Sequence, residues 1–68
     1  MKEEKRKPML NLMFERKQKG LTQIELSRRV GLNDNAVYFY ESGRRKPDAA
    51  TLADLAVALE CSVDEIKN

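Results

Sequence analysis

The stretch that most limits what this chain can become runs from Thr22 to Gly43, TQIELSRRVGLNDNAVYFYESG, where two helical signals are separated by a single glycine. Thr22 and Glu25 have the spacing of a capping box. The Thr hydroxyl accepts from the Glu25 amide and the Glu carboxylate reaches back to the Thr22 amide, so a helix starts there. Leu26 and Val30 continue the face that Leu21 enters, and Gly31 follows the last periodic residue, where a positive φ costs glycine nothing. Asn33 is the expected N-cap of a second helix, with Val37 and Tyr40 three apart along it and Gly43 at its end.

A chain of 68 residues holds one domain, and a domain that short buries only about 60% of its unfolded surface. One cysteine, Cys61, and no histidine leave neither an intramolecular disulfide nor a zinc-finger ligand set. Helix packing therefore has to hold the fold unaided, and no metal or cofactor is expected. No apolar run approaches the roughly 20 residues of a membrane span, and the charged start MKEEKRK is not followed by a signal-peptide core. The expectation is a soluble, cytoplasmic protein without membrane contact.

The formal net charge of +2 hides an uneven distribution. Residues 1–46 hold twelve Lys and Arg against six acids, a local +6, whereas residues 47–68 hold one Lys against five acids, a local −4. A polyanion is drawn to the first part and repelled by the second, which orients the domain as well as attracting it.

In chain order, residues 1–7 have no apolar face and four basic residues, and read as a flexible basic arm ahead of a single domain over residues 8–68. Pro8 suits the first turn of a helix that runs to about Lys19. Leu10, Met13 and Phe14 share its apolar face with Leu12 beside it, and Arg16, Lys17 and Lys19 complement the dipole at its C-terminal end before Gly20. Arg44, Arg45, Lys46 and Pro47 form a basic loop, since the residue before proline is pushed out of the α region. Asp48 caps the next helix, whose Leu52, Leu55, Ala56 and Leu59 form an amphipathic stripe. Ser62 with Glu65 is a second capping box, opening a short last helix that packs Val63 and Ile66. All glycines and prolines fall at helix boundaries, a consistency that predicts a five-helix, all-α domain.

Two short helices joined by a turn of roughly three to four residues containing glycine make a helix-turn-helix, here over about residues 22–43. GLTQIELSRRVGL followed by NDNAVYFYESGRRKP resembles the Cro/CI-type, or XRE-like, helix-turn-helix DNA-binding family, from about Leu12 to Ile66. The resemblance implies a compact lambda-repressor-like fold and sequence-specific binding of double-stranded DNA by a small prokaryotic or phage transcriptional regulator, a repressor. An α-helix fits the major groove, where each base pair shows its own donor and acceptor pattern. By the family pattern the readers on helix 33–42 are Asn33, Asp34, Asn35, Tyr38 and Phe39. Asn35 can pair bidentately with adenine, and Tyr38 and Phe39 offer contact to thymine methyls. Asp34 can only accept at a base edge; compensation of the helix dipole is the competing role and the favoured one. Gln23 matches the position that touches a phosphate and braces the recognition helix. Thr22 adjoins the same phosphate, and Ser42, Arg44, Arg45 and Lys46 clamp the backbone on the far side. Arg16 and Glu41 match positions that pair beneath the recognition helix.

Departures from the family pattern also carry meaning. Ser27 stands where alanine is usual, Ile24 where a polar residue is usual, and Phe39 where a polar reader is common. Tyr38 and Phe39 together make an exposed aromatic pair, so the alternative function is a protein-interaction module on the same fold, antitoxin-like or regulatory. Nothing suggests an enzyme or a small-molecule site, because no glycine-rich phosphate loop is present and no nucleophile sits beside a base. The resemblance also points to a homodimer, formed weakly or only on DNA, with its contact in Leu59 to Asn68. Leu59, Val63 and Ile66 are expected to be used mainly by the domain's own core.

Overall fold

The computed structural model describes residues 7–67. Most of the expected arm, residues 1–6, and the terminal Asn68 lie outside the described residues. The elements are α1 (Leu10–Gln18), α2 (Gln23–Arg29), α3 (Ala36–Ser42), α4 (Ala49–Ala58) and α5 (Val63–Ile66). Among the described residues there is no strand, and no helix is long and apolar enough to cross a membrane.

Local chemistry sets most boundaries. Thr22 accepts from the Glu25 amide at 3.0 Å while its own amide donates to the Glu25 carboxylate at 2.8 Å, which fixes the start of α2. Ser62 and Glu65 repeat the arrangement at α5. The Asp48 carboxylate accepts from the Thr51 amide at 2.8 Å, and this bond to its ionised form holds Asp48 below the usual carboxylate range. Gly43 ends α3 in the left-handed region at φ 84°, which a side chain would resist.

Two expectations about boundaries and faces are corrected. α3 begins at Ala36, three residues after the proposed Asn33 cap. Asn33 instead accepts the Ala36 amide through its backbone carbonyl in a turn, and Asn35, at the cap position, makes no side-chain cap bond. The cap comes from elsewhere in the chain: the fully buried Ser27 hydroxyl accepts from the Val37 amide at 3.1 Å. In α1 the buried residues are Leu12 and Arg16, with Met9 just ahead of the helix, whereas Leu10 and Phe14 are 59% and 58% exposed. The stripe facing the core is thus spaced by three and four residues and ends in a charged side chain, so counting apolar residues alone picks the wrong side of the helix.

The core is formed by Leu12, Leu26, Val37, Leu55, Leu59 and Ile66, none of them exposed, together with Met9, Tyr40 and Ala56. α1 packs on α5 and α3, α2 on α3 and α4, and α4 on α5. The Met9 amide donates to the Glu41 carbonyl at 3.2 Å, setting the start of α1 against the end of α3. Cys61 packs at the core margin as a free thiol, and burial, with Glu15 and Glu65 nearby, pushes its pKa up.

Candidate nucleic-acid interface

The helix pair α2–α3 is held over a buried ionic cluster. Arg16 Nε donates to Glu41 Oε2 at 2.6 Å and Nη2 donates to Oε1 at 3.0 Å, with the two residues 7% and 3% exposed. The third guanidinium nitrogen, Nη1, donates to the Leu21 carbonyl at 2.8 Å. Gln23 Nε2 adds a third bond to the same carboxylate, reaching Oε1 at 2.9 Å. Four polar groups from α1, the entry to α2, α2 itself and α3 therefore meet at one point, and among the described residues no buried side-chain polar atom lacks a partner. The cluster fixes α3 relative to the N-terminus of α2, the two parts a duplex would have to meet at once.

Above this cluster α3 turns Val37, Tyr40 and Glu41 inward and leaves Tyr38 and Ser42 exposed, with Asn35 exposed at its N-cap. Phe39 is half-buried. The Tyr38 and Phe39 rings are 5.5 Å apart and tilted by 53°, and the Arg45 guanidinium carbon lies 5.7 Å from the Phe39 ring centre. Asn33 and Asp34 sit on the turn before α3, not on the helix itself. The Asp34 carboxylate accepts two bonds from Arg28, Nε to Oδ1 at 2.8 Å and Nη2 to Oδ2 at 2.9 Å. These bonds hold the Asp34 carboxyl below its usual range and raise Arg28. Lying ahead of the first turn of α3, Asp34 has its charge met by Arg28, a partner in place of the helix dipole.

On the flanks, Thr22 is exposed at the start of α2, and Arg44, Arg45 and Lys46 are exposed in the loop after α3. The Ser42 hydroxyl donates to the Phe39 carbonyl at 3.2 Å. Sequence reasoning passed over two residues that shape this surface. Ser27 stands out in the sequence only as a replacement for the usual alanine, although its hydroxyl can also accept, as it does from the Val37 amide. Arg28 forms its pair across a six-residue gap spanning the turn, which no helical spacing rule covers.

The geometry is that of a helix-turn-helix domain, with a short helix presented outward on a packed support. A model of the helix-turn-helix family matches residues 12–66. The chain belongs to this family, in its Cro/CI-type (XRE-like) form. It is 41% identical over 54 residues to the uncharacterized HTH-type transcriptional regulator YqaE of Bacillus subtilis, a match covering 79% of this chain and 47% of that one. It is 43% identical over 51 residues to the uncharacterized regulator y4dJ of Sinorhizobium fredii, covering 75% of this chain and 66% of the relative. The chain thus spans about half to two thirds of the length of these curated relatives. Among solved structures it resembles the restriction-modification controller protein C.AhdI of Aeromonas hydrophila, with a TM-score of 0.78, 32% identity and coverage of 82% of this chain and 85% of that one. It also resembles the P22 c2 repressor protein in complex with synthetic operator 9T, with a TM-score of 0.81, 27% identity and coverage of 91% and 96%.

Proposed function

We propose that the chain binds double-stranded DNA sequence-specifically as a small prokaryotic or phage transcriptional regulator, a repressor, with α3 in the major groove. The observation that carries this reading is the exposed pair Asn35, at the N-cap of α3, and Tyr38, on its first turn, on a helix whose inner side is locked to α1 and α2 by the Arg16–Glu41–Gln23 cluster. Base readout requires side chains that are free to reach and a backbone that is not free to move. Asn33, Asn35 and Tyr38 are the readers in this proposal. Asp34, already engaged by Arg28, shapes the turn. Thr22 and Gln23 at the start of α2, and Ser42, Arg44 and Lys46 beyond α3, hold phosphates. Likeness to a repressor solved with its operator supports the direction of regulation. No catalytic step is assigned, and cytoplasmic residence follows from the proposed work on DNA.

A homodimer is part of the proposal, because a single small module buries roughly 600–1,000 Å², too little for the site length a regulator needs. Leu59 and Ile66 are fully buried within the domain, so the C-terminal contact surface is small and the dimer forms weakly, completed on DNA. The rival reading, a protein-docking surface centred on Tyr38 and Phe39, is weakened by Arg45 over the Phe39 ring, which makes the patch cationic. Selection of bound duplexes from a random pool tests the proposal. The wild type should return a two-half-site motif with centres about 34–36 Å apart. Asn35→Ala should return a different one, and an identical motif from that variant would defeat the assignment.

A further inference from the structure

Arg45 belongs by sequence to a basic run that suits phosphates, but its position sets it apart from Arg44 and Lys46. The chain reverses at Gly43, and both the Arg44 and Arg45 amides donate to the Phe39 carbonyl, at 2.9 and 3.1 Å. This folds the loop back over the end of α3 and lays the Arg45 guanidinium above the Phe39 ring, 5.7 Å from its centre. Phe39 is in turn braced by the Tyr38 ring at 5.5 Å. Two of the other arginines have their donors committed, Arg16 to Glu41 and Arg28 to Asp34, whereas among the described residues no carboxylate pairs with Arg45. The guanidinium is thus held over the ring by a cation–π contact, while among the described residues no carboxylate takes up its N–H groups.

A guanidinium kept over an aromatic ring by a cation–π contact has given up part of its freedom before it pairs, and its fork matches the O6 and N7 acceptors of guanine. We propose that Arg45 is a specificity-determining residue that reads a guanine at the edge of each half-site, with Phe39 as the platform that aims it. This inference rests on the DNA reading above and sharpens it, since Phe39 then acts through Arg45 and does not itself touch a base. A lysine at position 45 would retain the charge that a phosphate requires but could not form the bidentate pair.

The test is duplex selection with the wild type, Arg45→Lys and Phe39→Leu, followed by affinity measurements against salt. The wild-type motif should contain one guanine per half-site whose preference falls roughly tenfold or more in both variants. Arg45→Lys should keep the wild-type salt slope. Replacing that guanine with 7-deazaguanine should weaken the wild type by a similar factor and leave Arg45→Lys unchanged. An unaltered motif from Arg45→Lys, or an equal loss of affinity on every duplex, would make Arg45 a phosphate contact and overturn the inference. A wild type that enriches no duplex at all would overturn it together with the DNA reading.

Discussion

Two arginine–carboxylate pairs flank α3 with almost the same geometry. Arg16 meets Glu41 at 2.6 and 3.0 Å beneath the helix, and Arg28 meets Asp34 at 2.8 and 2.9 Å at the turn before it. Their surroundings differ, with side chains 9% and 2% exposed in the first pair and 69% and 52% in the second. Distance alone would rank them equal, but burial separates them. In the interior neither charge can be abandoned to water, so the first pair enforces one arrangement of α1, α2 and α3. At the surface each partner is hydrated when released, and salt screens what remains, so the second pair biases the turn without holding the fold.

The largest effect should come from dividing the buried pair. Arg16→Met or Glu41→Leu alone should destabilise the domain by roughly 3–5 kcal/mol, because the partner is left as a stranded charge, and the double variant should recover much of that loss. Urea melts in a double-mutant cycle measure it, and additive losses would show that the two residues are not coupled. A smaller loss, of about 1–3 kcal/mol, is expected for Ser27→Ala, which orphans the buried Val37 amide without touching a charge. An unchanged melt would mean that another acceptor, or water, serves that amide.

The surface pair should show itself in titration more clearly than in stability. Because the Asp34 carboxyl is depressed in the folded state, its contribution is present above the unfolded value and is lost as pH falls through the folded one, on the acid side of the usual carboxylate range. Carboxyl resonances followed by NMR should place Asp34 below that range in the wild type and return it to ordinary values in Arg28→Met. Asp48, lowered by the Thr51 amide, should not move in the same variant. An Asp34 that titrates identically with and without Arg28 would break the contrast between the two pairs.

What could be read in the sequence follows the range of the interactions. Both capping boxes and the Asp48 cap lie within three residues of their partners, so residue type and spacing define them. The α4 stripe was equally legible, with Leu55, Ala56 and Leu59 buried. The start of α3 was not, since its amide is capped by Ser27 from ten residues away across the turn. The buried side of α1 was hidden for another reason: Arg16 belongs to it, and hydropathy assigns arginine to the surface. At the interface, the row along α3 follows from helical periodicity. The Arg28 clasp on Asp34 and the fold-back of Arg45 onto Phe39 depend on the path of two loops, which local spacing does not encode.

The contrast between the two pairs matters because the buried one supports a surface proposed to read DNA, and salt-dependent binding tests that claim most directly. Affinity should be measured for the selected duplex and for a scrambled one over a series of salt concentrations. Neutralising Z phosphates should give a log–log slope near −0.9Z on both duplexes, with the selected duplex bound more tightly at every salt. A binding constant that hardly responds to salt, with no preference between the two duplexes, would contradict the proposed function.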